Sequence, residues 1–185
     1  NTISGTQLFI KRVLDIVGGL VGCILTGILF LFVAPAIYIK SPGPIIFSQV
    51  RIGKNGKKFR LYKFRSMYPD AEKRKEQLLA KNRVSDGMMF KLDYDPRIIG
   101  CRQLPDGTVK KGIGNWIRDW SIDEFPQFWN VLKGDMSLVG TRPPAEEEFE
   151  HYNEHYRRRL SMVPGITGLW QVSCRSDIRD FDDVV

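Results

Sequence analysis

The stretch IVGGLVGCILTGILFLFVAPAIYI, from Ile16 to Ile39, is 24 residues without a charge. At ~1.5 Å per residue it makes ~36 Å of helix, enough for a hydrocarbon core ~30 Å thick. A secretory signal does not fit, because the run is too long and no small-residue cleavage site follows it. The plain reading is one ordinary transmembrane helix. Two features oppose that reading. Lys11 and Arg12 precede the run while Lys40, Arg51, Lys54, Lys57 and Lys58 follow it, so both flanks favour the cytoplasmic side. The run also contains Gly18-Gly19, Gly22, Gly27 and Pro35, and proline removes a backbone donor and bends a helix. A bent helix that enters and leaves on one face satisfies both flanks.

Outward from this run, the chain has room for one domain of ordinary size in its 185 residues. A net charge of +7 points to anionic partners: phosphates, nucleic acid or an anionic membrane. Cys23, Cys101 and Cys174 are an odd number without metal-ligand spacing, which suits a reducing compartment better than a disulfide framework. After Ser41-Pro42-Gly43-Pro44, a strand is expected from Ile45 to Val50, then a turn at Gly53-Lys54-Asn55-Gly56 and a strand from Lys58 to Phe64. Helices are expected over Asp70–Asn82, Gly112–Trp120, Phe125–Lys133 and Ala145–Leu160. The sum is a compact, helix-dominated α+β unit: residues 1–40 carry the membrane helix and residues 41–185 form a membrane-associated domain. The start at Asn1 and the acidic end at Val185 read as those of a fragment of a longer protein.

Residues 51–69 hold Arg51, Lys54, Lys57, Lys58, Arg60, Lys63 and Arg65 and no acid. Lys54, Lys57 and Lys58 read as a solvated face beside anionic lipid, worth ~1 kcal/mol per charge. Nucleic acid is a poor partner, since no stacking or groove-reading motif accompanies the charge.

The chemistry is concentrated further on. Ser121-Ile122-Asp123-Glu124-Phe125-Pro126 is followed by Lys133-Gly134-Asp135-Met136-Ser137 and Gly140-Thr141-Arg142-Pro143. An aspartate with an ordinary pKa of ~3.9 is ionised at neutral pH and can attack phosphorus directly, while Arg and Lys hold the phosphate oxygens. Ser121-x-x-Glu124 is also a capping box, in which Glu124 would only reach back to a backbone N–H. Pro126 disfavours a helix through these residues, which makes a start near Pro126 the other reading; on either, both carboxylates lie at a helix N-terminus.

This stretch resembles the core of the monotopic phosphoglycosyl transferases, the bacterial sugar transferase family. The likeness runs from Lys11-Arg12 to Arg175-Ser176 and takes in Ser41-Pro42-Gly43-Pro44, Tyr62-Lys63-Phe64-Arg65-Ser66-Met67 and Pro164-Gly165-Ile166-Thr167-Gly168-Leu169-Trp170-Gln171-Val172. The resemblance implies a re-entrant membrane helix and transfer of a sugar phosphate from a UDP-sugar to polyprenyl (undecaprenyl) phosphate at the cytoplasmic face of the bacterial inner membrane. By the same resemblance Asp123 matches the nucleophile and Glu124 the second acid, with Mg²⁺ held by Asp123 and supported by Glu124. Arg118 and Arg142 are candidate phosphate contacts, Lys63 and Arg65 are candidate substrate-facing cations, and Lys133 and Arg175 are weaker ones. The chain has Gly27-Ile28 where many relatives have Ser-Pro, and Cys174 where the family often has Gly.

The run of blocks looks most like the hexose-1-phosphate transferases of capsule or exopolysaccharide synthesis, which favours glucose or galactose. A homo-oligomer is left open. The alternative is a non-catalytic membrane module that binds UDP-sugar or anionic lipid. His151-Tyr152-Asn153-Glu154-His155 fits a zinc-protease pattern, H-x-x-E-H. Glu146 to Glu150 before it and Arg157 to Arg159 after it make a salt-bridged surface helix the better reading.

Overall fold

The structure, a computed structural model, describes residues 4–78, 92, 94–150, 152, 153 and 157–168. The apolar run lies inside one helix, α1, Gly5–Lys40. Ser4 caps it, accepting from the Gln7 N–H, while the Gln7 side chain accepts from the Ser4 N–H. Among the described residues it is the one helix long and apolar enough to cross a membrane.

The glycines do not interrupt α1, and Pro35 sits within it. Gly18, Gly19 and Gly22 serve close packing instead, while Gly27 has open space around it. A Cβ at Gly22 would fall into the Phe128 ring, one at Gly19 would lie 2.8 Å from Leu132, and one at Gly18 would lie 2.5 Å from Leu138. The glycine face is where α4, Gln127–Lys133, and the strand after it press against the helix. What the sequence suggests as breaks is a groove.

Strands β1, Ile46–Ile52, and β2, Lys58–Phe64, form an antiparallel hairpin in which Ile46 pairs with Phe64 and Ile52 with Lys58. Its turn needs Asn55 in the left-handed region (φ 55°), where the short amide side chain is tolerated. Helix α2, Ala71–Leu78, is followed by the small ribbon of β3, Arg102–Gln103, and β4, Val109–Lys110, then by helix α3, Ile113–Asp119. Strand β5, Ser137–Val139, pairs in parallel with β6, Gly165–Thr167. The charged helix expected to reach Leu160 is shorter. Helix α5 is Glu146–Glu150, Tyr152 and Asn153 are irregular, and a 3₁₀ turn spans Arg158–Ser161. His151, Glu154 and His155 lie outside the described residues.

Two apolar clusters hold these pieces together. Val33 and Ile37 of α1 join Phe64, Ile99, Ile117 and Ile122, while Phe59 and Leu61 of β2 join Val131 and Met136. Polar clasps fix α1 further. Arg12 donates to the carbonyls of Val131 and Leu132, each at 2.8 Å, and the buried Asp15 accepts from Ser137 Oγ and the Leu138 N–H, each at 2.9 Å. At the other end Arg65 donates to the carbonyls of Ser41 and Pro42. The α-helix is thus an integral wall of the α+β unit.

Candidate active site

Asp123 and Glu124 lie on a 3₁₀ turn, Ile122–Glu124, between α3 and α4. Residues three apart eclipse on such a turn, so Ile122 and Phe125 both face the apolar cluster around Ile117 and Phe64. The two carboxylates are left to project elsewhere. The capping-box alternative fails here, because Ser121 is left-handed (φ 55°) and its side chain caps nothing. Helix α4 begins immediately after Pro126, as the proline demands.

Glu124 turns to Lys63, whose Nζ stands 3.3 Å from Glu124 Oε1 and 3.9 Å from Asp123 Oδ2. Asp123 itself is only 8% exposed. Burial pushes its carboxyl above the ordinary range; the Lys63 charge draws it down, Glu124 adds to the rise and Arg118 opposes it. The ordinary aspartate of the sequence reading is therefore corrected to a desolvated one, poised between burial and a cation. A carboxylate stripped of water is a stronger nucleophile than a hydrated one, and the nearby ammonium keeps an ionised fraction available.

The other candidates do not gather in one place. Arg118, in the last turn of α3, acts on Asp123 and also on Asp95. Its neighbour Asp119 pairs with Lys111 at 2.8 Å. Arg65 stands apart. Strand β2 ends at Phe64, so the alternation that would align Arg65 with Lys63 is lost, and the guanidinium turns to the end of α1. Arg142 pairs with Glu148 at 3.2 Å in a second cationic cluster with Arg51 and Arg159. Burial lowers Arg51 to about 10, with the Arg142 charge adding to the fall. Lys133 closes α4 beside the left-handed Gly134 and pairs with Asp135 at 2.9 Å. Arg175 and Cys174 lie outside the described residues.

The sequence reading passed over Asp95 and Arg97. Arg97 Nε and Nη2 donate to the Asp95 carboxylate at 2.9 and 2.7 Å, both side chains being buried. Burial pushes the Asp95 carboxyl up, but the Arg97 hydrogen bonds outweigh this and hold it below the ordinary range. The signal was Asp95-Pro96-Arg97, in which the rigid proline sets two opposite charges for a fork-to-fork contact. Asp15 was missed too, for it sits at the edge of an apolar run.

A sequence profile describing bacterial sugar transferases matches residues 6–185 of this geometry-bearing chain. The chain belongs to that family. Among relatives, the galactosyl transferase CpsE of Streptococcus agalactiae is 54% identical over 180 residues, covering 97% of this chain and 37% of the relative. An undecaprenyl-phosphate galactose phosphotransferase of Salmonella typhimurium is 38% identical over 185 residues, covering 98% of this chain and 36% of its own length. The exopolysaccharide production protein ExoY of Sinorhizobium fredii is 34% identical over 171 residues, covering 91% and 70%. This bacterial sugar transferase chain thus spans little more than a third of the first two relatives. Asp123, Glu124 and Lys63 all fall within the part that matches the family.

Proposed function

We propose that this bacterial sugar transferase moves a hexose phosphate, glucose or galactose, from a UDP-sugar to polyprenyl phosphate through a covalent intermediate on Asp123. The observation that carries the reading is a buried aspartate with a lysine shared between it and a second acid. A structural ion pair needs neither the burial nor the second carboxylate. Two relatives whose names state galactose chemistry, those of Streptococcus and Salmonella, support the sugar class.

In the first step an Asp123 carboxylate oxygen attacks the sugar-bearing phosphorus. The bond from that phosphorus to the bridging diphosphate oxygen breaks, and UMP departs with the electron pair. In the second step a phosphate oxygen of polyprenyl phosphate attacks the same phosphorus and the Asp123 carboxylate leaves, giving a polyprenyl-diphosphate sugar. No net proton transfer is needed in either step. Lys63 and Arg118 offset charge on the phosphate oxygens as it grows. Arg142, with Arg51 and Arg159, supplies a second cationic cluster for the donor's diphosphate or uridine end.

Among the described residues no three His, Cys, Asp or Glu side chains gather as a metal cage. Mg²⁺ does not require one, because it is usually held by one or two carboxylates together with substrate phosphates. Asp123 and Glu124 fit that need, and the ion when bound would screen the diphosphate.

The same reading places α1 in the cytoplasmic leaflet rather than across the bilayer. From Arg12 to Ser41 the helix rises about 43 Å at ~1.5 Å per residue, more than the ~30 Å hydrocarbon core. Hydrogen bonds to the globular part hold it at both of those ends. Were α1 to cross the bilayer, the polar domain beside it would be drawn into lipid. Its uncovered side carries Leu14, Val17, Val21, Ile24, Ile28 and Phe32, all exposed, as a bilayer-facing stripe requires.

The test is UMP release from a panel of UDP-sugars with Mg²⁺, followed by intact mass with and without polyprenyl phosphate. The expected result is a gain of one hexose phosphate, lost on adding the acceptor and absent in Asp123→Asn. Full turnover by that variant would overturn the mechanism. A folded, lipid-bound wild type inert toward every donor would leave the binding-module alternative.

A further inference from the structure

Phe47 pairs directly with Lys63 across the hairpin. Side chains alternate along a strand, so Phe47, Gln49 and Arg51 share one face of the β1–β2 ladder with Lys63. Each two-residue step covers ~7 Å, which puts Arg51 about 14 Å along the strand from Phe47. On the β2 half of this face, Phe59 and Leu61 are buried with Val131 and Met136. The β1 half is more open, for Phe47 is 46% exposed and Gln49 is half-buried. The face therefore begins at the acid–lysine cluster and ends at the arginines, with Gln49 between them.

Gln49 is held in one orientation. Arg51 Nη2 donates to Gln49 Oε1 at 2.9 Å. A guanidinium has donors only, so it takes the amide oxygen and never the amide nitrogen. Arg51 is itself fixed, by the Pro143 carbonyl at 3.4 Å and the Glu148 carboxylate at 3.8 Å. The Gln49 N–H2 is thus turned away from Arg51, and among the described residues nothing accepts from it. Two oriented donors beside a reaction centre suit an oxygen-rich ligand. In a phosphoryl transfer the attacking and leaving oxygens lie roughly in line. With Asp123 attacking, UMP leaves on the side of the phosphorus away from the acids, and the hairpin face leads away from Lys63 past Gln49 to Arg51.

We propose that Gln49 reads the nucleotide half of the donor: its amide N–H2 donates to an oxygen of the UMP part, while Arg51 holds the amide in place. Gln49 is then a specificity residue and Arg51 the positioning residue behind it. The inference rests on the transfer reaction proposed above and adds the residue that recognises its leaving group.

Two variants of the full chain in phospholipid nanodiscs separate recognition from support. Gln49→Glu keeps the length and the oxygen facing Arg51 but removes the donors; Gln49→Ala removes both. UMP binding, measured by calorimetry, should weaken about tenfold in each, equivalent to ~1.4 kcal/mol. The KM for the UDP-sugar should rise by the same factor, with kcat within about twofold and the KM for undecaprenyl phosphate unchanged. If Gln49 only braces Arg51, Gln49→Glu binds UMP as the wild type does, and that result would overturn the proposal. So would a raised donor KM with unchanged UMP affinity, since the amide would then read the sugar. UMP binding needs no turnover, so this inference and the reaction fail separately. A tenfold loss of UMP affinity in both variants, beside a wild type that transfers nothing, would keep the site and remove the reaction. Transfer by the wild type with one UMP affinity in all three proteins would do the reverse.

Discussion

Lys63 Nζ lies 3.3 Å from Glu124 and 3.9 Å from Asp123, so a single ammonium on β2 serves two carboxylates on the turn between α3 and α4. The arrangement joins the hairpin to the catalytic turn through charge as well as through the Phe64–Ile122 apolar contact. It also sets up the first prediction.

Removing the ammonium takes away both a phosphate-stabilising charge and the influence that lowers the Asp123 pKa. Lys63→Met should slow UMP release by ~10²–10³-fold, the usual worth of a charge-stabilising donor. Its acid limb should move to higher pH. Lys63→Arg should recover part of the rate. A Lys63→Met enzyme with wild-type rate and pH profile would make the pair merely structural.

Asp123 titrates above the ordinary carboxylate range because it is buried. Between its unfolded pKa, ~3.9, and the raised folded value, the folded chain holds the extra proton, so stability falls as pH rises through that window. Asp123→Asn should therefore melt above wild type at about pH 8. The gap should close as pH falls well below the unfolded pKa of ~3.9, where both states of the wild type are protonated. Thermal melts in detergent across pH decide the matter; a gap independent of pH would contradict the burial argument.

Asp15 accepts two hydrogen bonds from the β5 segment inside the α1 contact. Truncating it leaves the Leu138 N–H without its acceptor and takes one of two partners from Ser137 Oγ, which still accepts from Lys11 Nζ. Asp15→Ala should cost ~1–3 kcal/mol and make the Lys11–Asp15 turn of α1 more open to proteolysis. Unchanged denaturant midpoints would show that α1 is held by its apolar face alone.

Gly22 is where α4 comes closest, with the Phe128 ring occupying the space of any side chain. Gly22→Leu should separate α1 from α4, with a loss of more than the ~1–3 kcal/mol typical of overpacking. Gly27→Leu, with open space around its position, is the control and should be near neutral. Melting temperatures of the two in the same detergent compare them directly.

Much of this was legible in local sequence. The Lys58–Phe64 strand, the Asn55 turn and the helix start after Pro126 follow from propensity and turn chemistry. Long-range facts were not. The glycines of α1 read as helix breakers because nothing in the sequence says that Phe128, more than a hundred positions on, fills the groove. Lys63 and Arg65 read together because they flank Phe64 in a segment that resembles the family, but β2 stops at Phe64 and Arg65 turns to the end of α1. The Ala145–Leu160 pattern looked continuously helical, yet Tyr152 is buried beside Phe149 and the chain leaves the helix there.

Val33 and Ile37 come from the membrane helix, and Ile122 comes from the turn that carries Asp123; all three share one core. The floor beneath Asp123 is thus built partly from α1. Cutting the chain after Lys40 to obtain a water-soluble enzyme would remove two of that floor's buried side chains and leave the turn without its backing. Under the proposed mechanism, a change in the tilt of α1 would reach Asp123 through this shared cluster.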